Sequence, residues 1–310
     1  MSEVTCRCEC VGDEGAIDVA VTRAFCKADE ANLVRMLRDR QPGFDRELSV
    51  CAWDGGELVG YLALIPLDMR LMGRRVAAAA VAPVAVVPTR QRQGIGGVTL
   101  AYGHARARAR GIELAILNGH PDYYPRHGYQ ACFGFSGTSY KSDTIPDPTV
   151  ELEAWPVRDD DISWLLECDE REWGDVDFTW PRTGQMQEWA IEGVNAVVWW
   201  TSDGRRAAYT MARAGQGRPG IALEAILGDD PELVRQVIQR QKPSSSPNHP
   251  AGWLAREVLD PEWATSEAHA GEAALAIELV DGVLDEYLTA RAEGARLPGA
   301  CNWPLPFVMC

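Results

Sequence analysis

The sequence predicts an α/β protein of two lobes, and three observations carry that expectation. Residues 1–140 read as an ordered succession of elements, β-αα-βββ-α-β-α-β. KSDTIPDPT (141–149), with two prolines among acidic and hydroxylic neighbours, reads as a linker. Beyond it, a strand and a helix lead into three strands and another helix, repeating the middle of the first segment. With 310 residues and 46% hydrophobic side chains, the chain can bury a core in each lobe. The expected division is 1–140, a linker at about 141–149, and 150–310.

Each element of the first lobe has a local reason. VTCRCECV (4–11) alternates as a strand does, and GAIDVAVTRAFCKADEANLVRMLRDR (15–40) has the periodicity of one or two helices. ELSVCAW and ELVGYLALIPLDM flank Asp54-Gly55-Gly56, the turn of a hairpin. RRVAAAAVAPVAVV (74–87) continues as a third long strand. Pro83 in its interior cannot donate to a ladder, so a bulge or an edge is expected there. VTLAYGHARARARG (98–111) reads as a helix and ELAILN (113–118) as a short buried strand. PDYYPRHG (121–128) reads as a one-turn helix or loop, and YQACFGFSGTSY (129–140) as the closing strand.

The second lobe opens with a strand and helix in VELEAWPVRDDDISWLLECDEREWG (150–174). Hairpins are expected around Asp203-Gly204 and at 215–220, and the last strand stops at GDDP (228–231). Asp229 or Asp230 can cap the next helix, with Pro231 at its first position. KPSSSPNHPAG (242–252) reads as a loop and EAALAIELVDGVLDEYLTARAEG (272–294) as a helix. The apolar CNWPLPFVMC (301–310) is expected to dock on the protein.

Charge divides the chain as well. Through Lys141 there are 17 Lys and Arg against 15 Asp and Glu; beyond it there are 13 against 30. Such an acidic half repels nucleic acid and anionic membranes, so neither is an expected partner, and it suits a cationic ligand or simple solvation. There is no run of about 18 apolar residues, and the acidic N-terminal stretch has no apolar h-region, so a cytoplasmic protein is expected. Nine cysteines without CxxC or zinc-ligand spacing argue against a metal site. Cys6, Cys8 and Cys10 share a strand face, where they read as small buried hydrophobes rather than redox or metal groups.

The most informative stretch is VAVVPTRQRQGIGG (84–97). A strand that enters a helix through a glycine-bearing turn leaves backbone N–H groups unpaired at the helix start. Those amides and the helix dipole favour an anion such as pyrophosphate, glycine permits close approach, and Arg90 and Arg92 can add charge-assisted bonds. The Walker pattern is absent. So is GxGxxG, because Thr99 stands at the third glycine position.

Gln91-Arg92-Gln93-Gly94-Ile95-Gly96, after Val86-Val87-Pro88, resembles the Q/R-x-x-G-x-G/A acyl-CoA loop of the GNAT superfamily of N-acetyltransferases. NGHPDYYPRHGY (118–129) is similar to the G-x-P-x-Y-Y-x-R-F-G-F segment of bacterial members, with His127 and Tyr129 in place of phenylalanines. The resemblance implies a mixed, mostly antiparallel sheet with splayed central strands, and acetyl-CoA as cosubstrate without a metal. Backbone groups of Val84, Ala85 and Val86 would hold the pantetheine arm. Arg92, Gln93, Gly94, Ile95, Gly96 and Gly97 would cradle the pyrophosphate. Asn118, Gly119 and His120 would lie beside the thioester, His120 with a catalytic role there or a structural one. Tyr124 would protonate the departing thiolate.

The second lobe resembles a degenerate GNAT-like domain, because GDDPEL stands where the acyl-CoA loop would be and its carboxylates would repel pyrophosphate. Tandem lobes of this kind are similar to the enhanced-intracellular-survival class of aminoglycoside acetyltransferases, though a third, sterol-carrier-like domain is not seen here. In that class the C-terminal carboxylate serves as general base, which would fall to Cys310; a final strand is the competing reading of the tail. The function implied is acetyl transfer to a primary amine, a cationic small molecule, by direct attack in a ternary complex. A non-catalytic acyl-CoA-sensing or interaction protein is the rival. Carboxylates with Trp173, Trp180, Trp189, Trp199 and Trp200 would suit a cationic acceptor, or would be core. The general base, the acceptor's identity and self-association as a homo-oligomer are left open.

Overall fold

The computed structural model describes residues 4–40, 43–174, 178–190, 194–214, 220–247, 252–270 and 274–293. In chain order the first half holds β1 (Thr5–Cys8), α1 (Glu14–Phe25), α2 (Asp29–Arg40), β2 (Ser49–Asp54), β3 (Glu57–Leu71), β4 (Arg74–Val86), α3 (Ile95–Ala109), β5 (Leu114–Asn118), β6 (Gln130–Ala131) and β7 (Gly134–Tyr140). There follow β8 (Leu152–Pro156), α4 (Ile162–Trp173), β9 (Phe178–Thr179), β10 (Asn195–Thr201), β11 (Arg206–Ala214) and β12 (Ile221–Leu227). The remainder comprises α5 (Pro231–Gln241), β13 (Ser245–Pro247), α6 (Trp253–Glu257), β14 (Ala264–Ala270), β15 (Ala274–Glu278) and α7 (Asp285–Ala292).

Two sheets result, and they repeat one topology. The first runs β1-β2-β3-β4-β5-β15-β6, with β9 on the far end of β3; the second runs β8-β10-β11-β12-β13-β7-β14. In each, four strands are antiparallel, the fifth lies parallel to the fourth, and the sixth returns antiparallel. The sixth strands are exchanged. β7, from before the expected linker, sits in the second sheet, and β15, from near the end of the described chain, sits in the first. The stretch at 141–149 is therefore not where the sheets divide.

Burial explains why β15 is a strand. Residues 272–294 were expected to be helical, but Ala274, Leu275 and Ala276 are all buried, as a strand between two neighbours requires. Only Asp285–Ala292 is helical. The expected closing strand 129–140 is broken, with buried Cys132 and Phe133 separating β6 from β7. The loop expected at 242–252 contains β13, and β14 has no counterpart in the sequence reading.

Helices cover both faces of the first sheet. Ile17, Val21, Val34 and Leu37 pack with Tyr61, Ala63 and Ile65 on one side. Leu100 and Ala107 pack with Leu62 and Leu64 on the other. Each fully buried aliphatic side chain contributes roughly 1.5–3 kcal/mol. In the second lobe α5 is capped as expected: the Asp230 carboxylate accepts from the amides of Glu232 (3.0 Å) and Leu233 (3.2 Å). The lobes are also joined by Arg70, whose two terminal nitrogens donate to the two oxygens of Glu170 at 2.8 Å.

Candidate functional site

The irregularity expected at Pro83 is present. Along β3 and β4 the register moves from Leu62↔Val84 to Leu64↔Val81, so the backbone at Ala82 and Pro83 stands out of the ladder. Beyond it, β4 and β5 separate. Their parallel pairing covers Ala78↔Leu114, Ala79↔Ala115 and Ala80↔Ile116, although β4 runs on to Val86 and β5 to Asn118. On their outer sides both strands stay paired, Val86 with Gly60 and Asn118 with Ala274. Val84, Ala85 and Val86 thus line a cleft whose inner edge offers strand backbone to an extended ligand.

At the mouth of this cleft the chain turns into α3. Arg92 (φ 61°) and Gly94 (φ 82°) both take left-handed backbone, which Gly94 adopts without strain. Gly94 caps the helix without any side-chain cap, and its carbonyl accepts from Val98 N at 3.1 Å. The amides of Ile95, Gly96 and Gly97 therefore precede the helix's own ladder, at the positive end of its dipole. Close packing also favours glycine here. A Cβ on Gly96 would collide with the Tyr123 hydroxyl, and one on Gly97 would stand 2.7 Å from His127 Cε1.

The third wall is the 3₁₀ turn Tyr124–His127, which follows Asn118 and Gly119. His120 organises its entry through its backbone: its carbonyl accepts from the amides of Tyr123 (3.1 Å) and Tyr124 (3.3 Å), while its side chain is exposed. Tyr124 is buried, its ring lying against Gly119 and edge-on to Tyr123 (5.1 Å) and Tyr129 (5.5 Å). Burial, with a smaller contribution from Tyr123, pushes its phenol up to about 12. Beneath it, His104 Nε2 and Tyr129 Oη are 2.8 Å apart. Burial, then the charges of Arg108 and His127, lowers His104 to about 4.

The Acetyltransferase (GNAT) domain model matches residues 15–132. Over 131 residues the chain is 33% identical to the uncharacterized N-acetyltransferase YjhQ of Escherichia coli K12, an overlap of 40% of this chain and 68% of that protein. The chain belongs to the GNAT acetyltransferase family. Membership makes it an acetyl-CoA-dependent acyltransferase. The two-lobed fold is shared with a conserved protein of Enterococcus faecalis V583 (TM-score 0.70, 13% identity, 89% of this chain and 72% of that one). It is shared too with Eis1 from Mycobacterium abscessus (TM-score 0.57, 17% identity, 89% and 74%).

For this GNAT acetyltransferase the structure brings together most residues expected at the cofactor site and corrects several readings. Arg90 does not project toward an anion: it is ion-paired with Asp54, and its Nε donates to Gln93 Oε1 at 3.1 Å. Cys6 is half-buried and packs against the core, whereas Cys8 is half-buried without a place in it and Cys10 is exposed, so only Cys6 acts as a small hydrophobe. Trp173 and Trp189 are buried, and the stacking cations on Trp189 and Trp200 are the chain's own Arg182 (4.8 Å) and Arg206 (4.9 Å). Cys310 and the rest of the apolar tail lie outside the described residues. Among the described residues there is no cluster of three or more His, Cys, Asp or Glu that could hold a metal ion. No described helix is long and apolar enough to cross a membrane.

Five residues that shape the site were given no role from the sequence. Asp54 read only as a turn residue and Tyr123 only as a neighbour of Tyr124, while His104 sits in a helix of weak periodicity. Tyr129 and His127 carried a signal, since each stands where similar segments have phenylalanine.

Proposed function

We propose that this acetyltransferase moves the acetyl group of acetyl-CoA to the primary amine of a cationic small molecule by direct attack in a ternary complex. The carrying observation is the uncapped, glycine-bearing start of α3 at the mouth of the β4/β5 cleft, with Tyr124 beside the end of β5. On this reading the pantetheine arm extends the sheet along Val84–Val86. The diphosphate meets the amides of Gln93 to Gly97 and the exposed Arg92 side chain, and the thioester lies near Asn118, Gly119 and His120.

In the reaction the neutral amine attacks the thioester carbonyl, the C–S bond breaks, and the thiolate takes a proton. Tyr124 supplies it: with its phenol pushed up to about 12 it is fully protonated near neutrality, and the transfer to the weaker base is drawn on by the later return of a proton from solvent. The attacking nitrogen of the tetrahedral adduct gives up its excess proton to water, leaving a neutral amide, and the Tyr124 phenolate takes a proton back from water. Holding donor and acceptor together supplies much of the remaining acceleration.

The second lobe, on this reading, binds no CoA and faces the acceptor. The start of α5 is already filled by Asp230, while Asp229 accepts from Trp164 Nε1 at 3.0 Å and, through its carbonyl, from Arg171 Nη1 at 2.8 Å. An anion would meet carboxylates where α3 offers open amides. Its excess of acidic residues suits a cationic acceptor. The test is a panel of amines with acetyl-CoA and a thiol-release readout. Turnover favouring di- and polyamines is expected. Thiol release only with neutral or anionic acceptors would overturn the acceptor class, and absence of CoA binding would overturn the site.

A further inference from the structure

We propose that Asp54 and Arg90 form a brace that sets the conformation of the acetyl-CoA loop, so that both are positioning residues and Arg92 alone of the two arginines meets the diphosphate. The inference rests on the assignment of residues 92–97 as the diphosphate cradle.

Loop residues 89–93 hold four long polar side chains, and three of them are engaged within the protein. Gln91 Nε2 donates to Val86 O at 3.1 Å, and Gln93 Nε2 donates to Thr89 O at 3.3 Å. Arg90 donates through Nε to Gln93 Oε1 and pairs through Nη1 with Asp54. These bonds close one continuous chain: the β2–β3 hairpin through Asp54, then Arg90, then Gln93, then the backbone at Thr89. Arg92, in contrast, is exposed, and among the described residues its side chain makes no such contact.

The brace has a specific load. Arg92 holds a left-handed backbone, which the Cβ of an ordinary residue disfavours, and such a conformation persists only where its surroundings over-determine it. Left-handed residues at Arg92 and Gly94 turn successive amides toward one side, the concavity that suits an anion. Engaged residues on both sides of Arg92 hold this shape before any ligand arrives. Asp54 is well placed as the anchor because it is almost fully buried on a strand end, with a side chain 6% exposed, so its partner has little freedom. A pre-shaped cradle costs the cofactor less ordering when it binds.

The test compares Asp54→Asn, Arg90→Gln, Arg90→Lys and Arg92→Gln for CoA affinity by calorimetry across ionic strength, with the unliganded melting temperature as a fold control. Asp54→Asn and Arg90→Gln should each weaken CoA binding about 5- to 30-fold, the range for losing one charge-assisted bond, and raise the KM for acetyl-CoA in step. At saturating acetyl-CoA their kcat should stay within about twofold, as expected where only binding is lost. Their affinity should keep the wild-type salt dependence, and Arg90→Lys should recover part of the loss. Arg92→Gln should flatten the salt dependence, since it removes the charge that faces phosphate. If Asp54→Asn does not fold, the Arg90→Lys and Arg90→Gln comparison decides. Wild-type affinity in Arg90→Gln, or a salt dependence as flat as that of Arg92→Gln, would overturn the brace. Gly94→Glu tests the cradle separately: normal CoA binding by that variant would overturn the loop assignment itself.

Discussion

His104 Nε2 and Tyr129 Oη lie 2.8 Å apart, and the ring of Tyr124 packs edge-on against Tyr129 at 5.5 Å. Both members of the pair are uncharged near neutrality, because burial lowers the imidazole to about 4 and pushes the Tyr129 phenol far up. Tyr124 therefore rests on a neutral, hydrogen-bonded floor. A charged imidazole there would oppose a second cation in the adjacent cleft.

That floor makes stability depend on pH. His104 falls from 6.5 to about 4, so between those values the unfolded chain binds a proton that the native state refuses. Its effect is a loss of stability, about 3 kcal/mol, as pH drops from 6.5 to 4. Asp169 acts in the opposite sense, since burial raises it from 3.8 to about 6 despite Arg182. The native state takes up that proton as pH falls through 6, gaining a similar amount by pH 4. Denaturant unfolding from pH 4 to 7 should show His104→Gln becoming more stable relative to wild type as pH falls. Asp169→Asn should show the reverse. Parallel pH profiles for all three proteins would remove both groups as determinants.

Tyr124→Phe is expected to lower kcat by roughly 10- to 1000-fold with little change in CoA affinity, as loss of a proton donor requires. The ring stays, so the contacts with Gly119, Tyr123 and Tyr129 are kept. Single-turnover measurement is the deciding readout, because slow product release would mask the chemical step. An unchanged single-turnover rate would return Tyr124 to a packing role.

What was legible in the sequence was chemistry that local pattern dictates. Gly94, Gly96 and Gly97 were readable because a strand that enters a helix through glycine leaves amides open wherever it occurs. Pro83 was readable because it has no N–H to give a ladder. Strand partners were not. Ala274–Glu278 looks helical by composition, and only its place between β5 and β6 makes it a strand. The Arg90–Asp54 pair joins residues far apart in sequence, and nothing in either local pattern distinguishes a brace from a free phosphate ligand.

Glycines in the first turn of α3 should prove sensitive to the smallest side chain. Gly97→Ala would press on His127, and Gly96→Ala on the Tyr123 hydroxyl. Either substitution has to displace a side chain of the turn segment that carries Tyr124, and the expected outcome is that the turn shifts with it. Thermal shift by CoA should shrink in both variants, and kcat should fall as well, because the donor moves with the turn. Gly103→Ala, which meets Leu62 and Leu64 on the core side, should lower the melting temperature with or without CoA. Loss of the CoA shift without any fall in kcat would show that the turn does not move.

Stoichiometry separates the lobes. Calorimetric titration should give one CoA per chain, since α5 presents the Asp230 carboxylate where α3 presents amides. The KM for a polycationic amine should rise with ionic strength while that for a monoamine changes less, because screening acts over about 8 Å near physiological salt. Two CoA sites per chain, or equal salt responses for both amines, would defeat the role proposed for the acidic lobe.

The exchange of β7 and β15 predicts what happens when the halves are separated. A chain of residues 1–140 would contain the cleft, the loop and Tyr124, yet lack the strand that covers β5 from Leu114 to Asn118. Buried Leu275, Ala276 and Leu279, together with Tyr287 and its bond to Cys132 O at 2.6 Å, would all be gone from the core beside the site. β7 would be present without β13 or β14, leaving both of its edges bare. Such a fragment is expected to show no cooperative unfolding transition and no CoA-dependent thermal shift. Supplying residues 141–310 as a second chain should restore both, because the missing strand then arrives in trans. A 1–140 fragment that folds cooperatively and binds CoA unaided would show that β7 can replace β15, and that the exchange is dispensable for the site.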